Sequence, residues 1–126
     1  MKRFLLVVAL ATIALAAFGQ GRSISKLPKI ETPYVTDEGD TLKVGTTIQL
    51  LESTGANNTF KYVQALNRFN EPIQPAPAKM AMKKQDILFF KSEDDVMYLF
   101  TDFFCINIEA ALYAKEIRIV KPKGEN

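Results

Sequence analysis

The acidic residues are the first candidates for a chemical role in this sequence, because of their number and their grouping. Two acidic clusters, Asp37–Asp40 and Glu93–Asp95, and the separate Asp102 supply oxygen atoms that suit Ca²⁺ binding or general acid–base catalysis. Neither cluster has the spaced ligands and the terminal bidentate glutamate of an EF-hand loop. We interpret both clusters as solvated turns between strands and predict no metal site. A small hydrolase that uses only carboxylates, Asp102 with one clustered acid, stays as an alternative.

The residues that are missing exclude the common forms of catalysis that depend on histidine. The 126 residues include no histidine and a single cysteine. Ser-His-Asp and Cys-His catalysis are therefore excluded, and zinc would have one soft ligand. Cys105 lies between Phe104 and Ile106, a context typical of a buried apolar side chain. The sequence predicts a protein that is not an enzyme, has no cofactor and forms no disulfide within the chain.

The first nineteen residues predict export. Met1–Arg3 is cationic, and Phe4–Phe18 carries no charge. Ala17 and Gly19 have the small-x-small spacing that signal peptidase accepts. The apolar run is shorter than the roughly 20 residues of a membrane span, so we expect a signal peptide (residues 1–19) that is cleaved after Gly19. A retained anchor is the alternative.

Cleavage would leave a neutral chain. Of the 126 residues 107 remain, with 14 basic and 14 acidic side chains, because Lys2 and Arg3 are lost. Such a chain has no general electrostatic attraction to nucleic acid or anionic lipid. We expect a periplasmic or secreted protein with no nucleic-acid partner and no stable membrane insertion after cleavage.

Composition changes along the chain define one expected domain. Residues 20–33 are polar, contain Pro28 and Pro33 and show no periodicity, which predicts a flexible tether. Residues 34–121 hold the apolar and alternating segments of one small β-barrel domain. Residues 122–126 form a polar tail.

Within this domain the pattern is typical of strands. Two alternating segments on either side of Gly45 predict a shared buried face, which consists of Leu42, Val44, Ile48 and Leu50. Further strands are predicted at Tyr34–Thr36, Thr59–Leu66, Ile87–Lys91, Val96–Phe100 and Ile117–Val120. Asn107 suits the N-cap of a short helix that extends to Lys115. The fold class predicted is mainly β, a small antiparallel SH3-like or OB-like barrel with one short C-terminal helix.

The segment Asn67–Gln85 is predicted to be a long loop, because three of its residues are prolines. Its exposed apolar and basic candidates define a hypothetical partner-binding loop: Ile73, Met80, Met82, Lys83 and Lys84. The alternatives are a tolerated insertion and a loop whose methionines close one end of the barrel.

Two segments carry a resemblance to known proteins. Glu38–Leu50 (E-G-D-T-L-K-V-G-T-T-I-Q-L) and Asn107–Val120 resemble parts of small exported bacterial proteins of uncharacterised function, which implies a small β-barrel and no defined catalytic residues. Tyr34–Leu42 (Y-V-T-D-E-G-D-T-L) resembles the opening of a LysM domain, which implies binding to N-acetylglucosamine-containing glycans such as peptidoglycan. LysM domains continue into a helix, whereas Val44–Ile48 is rich in glycine and β-branched residues that disfavour one.

The hypothesis that follows is an exported, non-enzymatic binding or structural module of the cell envelope, with a protein, a peptide or an envelope component as its partner. LysM-like glycan binding and a carboxylate-only hydrolase are the alternatives.

Overall fold

The computed structural model of the protein describes residues 24 and 26–121. The predicted signal peptide and the predicted polar tail lie outside the described residues. The strands are β1 (Tyr34–Val35), β2 (Thr41–Leu42), β3 (Thr47–Leu50), β4 (Thr59–Leu66), β5 (Pro72–Pro77), β6 (Lys84–Asp86), β7 (Phe89–Glu93), β8 (Val96–Phe100), β9 (Phe104–Asn107) and β10 (Ile117–Val120). The helix α1 spans Ile108–Tyr113, and short 3₁₀ turns cover Ala56–Asn58 and Ala78–Met80.

Three antiparallel sheets organise the described chain. Five strands form the largest sheet, in the order β5-β4-β9-β8-β7, and three form a second sheet, in the order β10-β3-β6. β1 and β2 pair in a short hairpin. Within the described residues no sheet closes on itself. The prediction of a mainly β fold with a short helix near the C-terminal end is confirmed.

The five-stranded sheet is apolar on both faces of β7, β8 and β9. One row across these strands consists of Phe90, Leu99 and Ile106, and it packs into the main core. The neighbouring row consists of Phe89, Phe100 and Cys105. With Ile24, that second row forms a separate buried group on the other face, which we call the outer cluster. Both faces are therefore covered, as the successive apolar residues of these strands predict.

The main core joins the five-stranded sheet to the other elements. It contains buried side chains from both larger sheets and from β2, and α1 adds Ile108 and Ala111. Three residues of the predicted buried face are in this core: Leu42, Ile48 and Leu50. Val44 is exposed, so its assignment to the core was wrong. β2 ends at Leu42, and a tight turn follows in which Gly45 has φ of +95°.

The outer cluster is covered by residues from the predicted tether. Ile24 is buried there, and the Lys91 Nζ donates a hydrogen bond of 3.1 Å to the Ile24 carbonyl oxygen. Ile30 exchanges two backbone hydrogen bonds of 2.7 Å with Phe90, which gives the outer edge of β7 a partner at that position. This part of the tether therefore contacts the sheet. The flexibility of residues 20–33 stays a prediction.

The segment 67–85 is not one long loop. β5 lies within it and pairs with β4 at the edge of the five-stranded sheet, and β6 pairs with β3. Proline lacks a backbone donor, which favoured the prediction of a loop. An edge strand needs donors on one side only, so β5 accommodates Pro72, Pro75 and Pro77.

The helix begins as predicted. The Asn107 Oδ1 accepts a hydrogen bond of 3.3 Å from the Ala110 backbone N–H, which is an N-cap. The helix ends after Tyr113, and Lys115 follows in a left-handed conformation with φ of 62°. No helix in the described part of the chain has the length and apolar character needed to cross a membrane.

Candidate functional site

Four large apolar side chains are exposed where β4 and β8 end and where β5, β7 and β9 begin. Phe69 lies in the β4–β5 turn, Phe103 lies in the β8–β9 turn, Ile73 is near the start of β5, and Leu88 precedes β7. Their exposed fractions are 67%, 61%, 56% and 39%, respectively. We call these four residues the apolar end.

The β4–β5 turn is held by an asparagine side chain. The Asn67 Oδ1 accepts hydrogen bonds from the backbone N–H groups of Phe69 (2.8 Å) and Glu71 (3.0 Å). The Asn67 side-chain amide donates to the Glu71 carboxylate at 3.0 Å. Asparagine favours such local turns because its short side chain reaches the backbone two residues further on. Phe69 is therefore presented on a turn whose polar groups are paired within the turn.

The β8–β9 turn is held in the same way, by a threonine side chain that accepts backbone hydrogen bonds. The Thr101 Oγ1 accepts hydrogen bonds from the backbone N–H groups of Phe103 (3.2 Å) and Phe104 (3.0 Å). Thr101 is buried, and its own N–H donates to the Phe104 carbonyl oxygen at 2.9 Å. Phe104 lies in the core, whereas Phe103 lies in solvent. The turn thus separates two consecutive phenylalanines.

Backbone hydrogen bonds join these turns across the sheet. The Leu66 N–H donates to the Phe103 carbonyl oxygen at 2.9 Å, and the Leu88 N–H donates to the Phe100 carbonyl oxygen at 2.8 Å. Ile73 is the extra residue of a β-bulge, because Leu66 pairs with Pro72 while Ala65 pairs with Gln74. The residues of the apolar end are consequently fixed relative to one another by the sheet.

Few charges accompany the apolar end. The Arg68 guanidinium lies over the Phe69 ring, 5.2 Å from the ring centroid. Asp102 precedes Phe103, and the Glu71 carboxylate is engaged by Asn67. The Lys29 ammonium lies 4.7 Å from the ring centroid of Phe89, which follows Leu88. Basic and acidic side chains therefore both accompany the exposed apolar groups.

The predicted partner-binding loop is divided between two places. Ile73 belongs to the apolar end, and Met80 is partly buried against the main core. Met82 is exposed with φ of 72°, and its carbonyl oxygen accepts a hydrogen bond of 3.1 Å from the Gln49 side chain. Lys83 and Lys84 are exposed beside it, along the three-stranded sheet. The five residues therefore do not form one surface.

Sequence reasoning missed Phe69, Leu88 and Phe103. A signal for two of them was present: Asn67-Arg68-Phe69 and Thr101-Asp102-Phe103 each place a phenylalanine two residues after a side chain that caps turns. A phenylalanine at such a position lies in the turn itself, outside the alternation of the strand that precedes it.

A second surface feature is an open groove of about 580 Å³ beside β10. Threonine and lysine side chains line it together with Asp40, Val44 and Ile119. The Lys121 Nζ lies 3.6 Å from the Asp40 Oδ1, and both side chains are largely in solvent. The segment that resembles a LysM domain contributes to this groove through Asp40 and Thr41. A turn and then β3 follow Leu42, in place of the helix of a LysM domain.

Asp102 does not lie beside either acidic cluster. Asp102 lies at the apolar end, whereas Glu93–Asp95 forms the β7–β8 turn at the opposite end of β8. The Asp37 backbone N–H donates at 3.1 Å to the carboxylate of Glu109, which follows β9 and is also remote from Asp102. Burial, and then the neighbouring Asp94, raise the pKa of Glu93. The described residues include no group of three or more acids or thiols that would hold a metal ion.

Glu116 is a fully buried carboxylate with a structural role. Its Oε2 accepts hydrogen bonds from the Thr54 N–H (2.8 Å), the Thr54 hydroxyl (2.8 Å) and the Lys61 N–H (2.7 Å). Its Oε1 accepts from the Tyr62 N–H at 2.8 Å. The carboxylate thus joins the segment after α1 to β4 and to the loop before it. Because the side chain is fully buried, a ligand in solvent cannot reach it.

The outer cluster buries a lysine and a thiol. The Lys91 Nζ lies 5.6 Å from the Phe89 ring centroid and 5.3 Å from that of Phe100. Burial, and then the charge of Lys29, lower the pKa of Lys91. Burial raises the pKa of the Cys105 thiol to about 12, although Lys91 acts in the opposite direction. A thiol with this pKa is a poor nucleophile at neutral pH, which agrees with a packing role for Cys105.

The hairpin of β1 and β2 is joined to α1 by a tyrosine. The Tyr34 hydroxyl donates a short hydrogen bond to the Glu109 carboxylate. Burial, and then this hydrogen bond, raise the pKa of Tyr34 well above its usual range. The contact holds the hairpin against the helix, and it does not activate the hydroxyl.

Comparison with other proteins adds no assignment. No family model, no curated protein and no solved structure matches this chain. Among the described residues every buried side-chain nitrogen or oxygen atom has a hydrogen-bond partner. The buried polar groups are thus used within the fold, whereas the four side chains of the apolar end are exposed to solvent and can contact a partner.

Proposed function

We propose that the chain is an exported, non-enzymatic binding module of the cell envelope and that it binds through the apolar end. The observation that carries this proposal is the exposure of Phe69, Ile73 and Phe103 on turns and a bulge that are held by hydrogen bonds. Soluble proteins expose large apolar side chains singly, and a contiguous group of them is typical of an interaction surface. Rigid presentation lowers the entropy that is lost on binding.

The sequence supports the remaining parts of the proposal. The expected signal peptide would direct the chain to the periplasm or out of the cell, and the absence of histidine excludes Ser-His-Asp and Cys-His catalysis. The separation of Asp102 from the acidic clusters argues against the carboxylate-only hydrolase. The arrangement of the sheets as a small SH3-like or OB-like barrel remains a prediction.

Glycan binding is the second candidate because a groove exists beside β10. Hydroxyl groups, lysines and Asp40 line this groove, and such groups can form hydrogen bonds with a sugar. The strand that follows Leu42 weakens the LysM interpretation, because that domain continues into a helix.

A capture experiment with surface variants tests the proposal. The protein recovered from the envelope or the medium is immobilised and incubated with envelope extract and, separately, with peptidoglycan. We expect a partner from the extract to bind to the wild type and to be lost with Phe69→Ser/Phe103→Ser. Tyr113→Ser is the matched control, since Tyr113 is 91% exposed on α1.

Two results would contradict the proposal. Capture that is unchanged by the double substitution places the binding surface elsewhere. Capture of peptidoglycan alone that is lost with Thr41→Ala, and not with the phenylalanine substitutions, supports the groove. The intact mass of the recovered protein shows in the same experiment whether residues 1–19 have been removed.

A further inference from the structure

We propose that β10 binds an extended peptide segment with acidic side chains, which pairs with its free edge as an added strand. Main-chain hydrogen bonds would hold the segment on β10, and its side chains would enter the groove beside that strand. This second site lies on the three-stranded sheet, away from the apolar end, so the inference goes beyond the function proposed above.

The backbone of β10 has a free side. Among the described strands its neighbour in the sheet is β3 alone. The Leu50 N–H donates to the Lys83 carbonyl oxygen at 2.9 Å, on the β6 side of β3. The Leu51 N–H donates to the Glu116 carbonyl oxygen at 2.6 Å, on the β10 side. Because hydrogen-bonded positions alternate along an antiparallel pair, the N–H and C=O groups of Ile119 point away from β3, and no other described group bonds to them.

The other three outer strands of the two larger sheets each carry a feature that hinders pairing with another chain. β5 contains three prolines, and β7 is bonded at Phe90 by Ile30. At the edge of β6 the Lys84 carbonyl oxygen accepts a hydrogen bond of 3.0 Å from the Gln85 side chain. Natural sheets protect their edges in such ways. β10 (Ile117–Val120) contains no proline and pairs with β3 without a bulge, so its edge is left open to a partner strand.

The groove of about 580 Å³ lies along this edge and also reaches β2, since Ile119 and Thr41 both line it. In the hairpin the Thr36 N–H donates to the Asp40 carbonyl oxygen at 2.8 Å. Asp40 therefore pairs with β1, and the backbone groups of Thr41, the next residue, point away from β1. Two free strand edges thus border one groove. Backbone donors and acceptors in this arrangement match an extended peptide better than a glycan.

The charges at the groove favour an acidic segment. Lys43, Lys121 and Asp40 line it, and the Lys121 Nζ lies 3.6 Å from the Asp40 Oδ1. No acidic side chain in the described part of the chain forms an ion pair with Lys43, so the groove has a net positive charge. Arg118 on β10 adds another cation. These charges disfavour pairing with the β10 strand of a second copy, because like charges would be brought together.

Hydrogen exchange at single amides tests the inference. The probe is a capped peptide of about eight residues in which glutamate alternates with valine and threonine, added at millimolar concentration to the isotope-labelled full chain as recovered after export. In the free protein we expect the Ile119 amide to exchange about tenfold faster than those of Arg118 and Val120, which pair with β3. With the peptide we expect exchange at Ile119 to slow roughly threefold or more, and exchange at Arg118 and Val120 to change little.

A charge reversal and a modified peptide identify the contact. Lys43→Glu is expected to weaken peptide binding about tenfold, because it places a carboxylate in the groove. Lys61→Glu is the matched control without effect, since Lys61 is an exposed lysine of β4, in the other sheet. A peptide that is N-methylated at alternate residues keeps its side chains and loses the donors of one edge. Of the two possible sets of methylated residues, at least one is expected to abolish the protection of Ile119, with the protein itself unchanged.

Three results would overturn the inference. Equally slow exchange at Ile119, Arg118 and Val120 in the free protein would mean that the edge is already paired. Unchanged exchange at Ile119 in the presence of the peptide would mean that no strand is added. Chemical-shift changes at Thr41 with a peptidoglycan fragment, without protection of Ile119, would assign the groove to a glycan instead. None of these results affects the capture of a partner by the apolar end, which depends on Phe69 and Phe103.

Discussion

At the scale of single residues, the buried Glu116 shows how a charge is used to organise backbone. Four donors from Thr54, Lys61 and Tyr62 converge on its two oxygens. Three of the donors are backbone N–H groups of a loop and a strand that do not pair with each other there. Without the carboxylate these partly buried groups would lose their acceptor, which costs free energy for each that water cannot reach.

We predict that Glu116→Gln lowers the free energy of unfolding by about 1.5–3 kcal/mol, because the amide group presents hydrogens to donors that need an acceptor. Urea denaturation measures this change. The control Glu52→Gln replaces an exposed carboxylate and is expected to change the value by less than about 0.5 kcal/mol. Equal stability of the two variants would show that Glu116 is dispensable.

At the scale of elements, the alternation of polar and apolar residues was sufficient to predict the strands in which that pattern is clear. The bounds of β3, β4, β8 and β10 match the predicted segments. β5 was missed because its prolines conceal an edge strand. β9 was missed because it is short and its last residue, Asn107, is also the helix cap. The apolar end was not predictable as a unit, since the turns that carry Phe69 and Phe103 come to the same end of the sheet only through the pairing of β4 with β9.

We predict that a short Gly-Ser link in place of Glu71–Ala78 abolishes cooperative unfolding or greatly lowers its midpoint. The change removes β5 and the buried Ala76, and it leaves the edge of β4 without a partner. Thermal denaturation followed by circular dichroism measures the effect. The control Gln74→Ser keeps the strand and alters one exposed side chain. A cooperative, unshifted transition in the shortened chain would show that β5 is an insertion without a structural role.

At the scale of the whole molecule, buried titratable groups make stability depend on pH. Burial raises the pKa values of Cys105 and Tyr98 to about 12. The unfolded thiol releases its proton near pH 9, so between about pH 9 and 12 the unfolded state binds fewer protons than the folded state, and stability falls as pH rises. Lys91 acts in the opposite direction: its folded pKa is lowered, so its contribution rises with pH toward its ordinary pKa.

We predict that wild-type stability falls more steeply than that of Cys105→Ala between about pH 9.5 and 11, by about 1.4 kcal/mol per pH unit for the one proton involved. Urea denaturation at a series of pH values measures both slopes. Lys91 and Tyr98 are present in both proteins, so only the part of their titration that depends on the charge of Cys105 enters the difference. Parallel slopes would mean that the thiol is already accessible to base in the folded protein.

The contact between Ile30 and Phe90 has a consequence for the order of folding. The chain must bring position 30 back to a strand that begins at position 89, and contacts of such sequence separation form slowly because a long loop has to close first. Until that happens, β7 is an open edge with free donors and acceptors. While this edge is open the refolding chain is exposed to self-association, and its yield should decline as the protein concentration is raised.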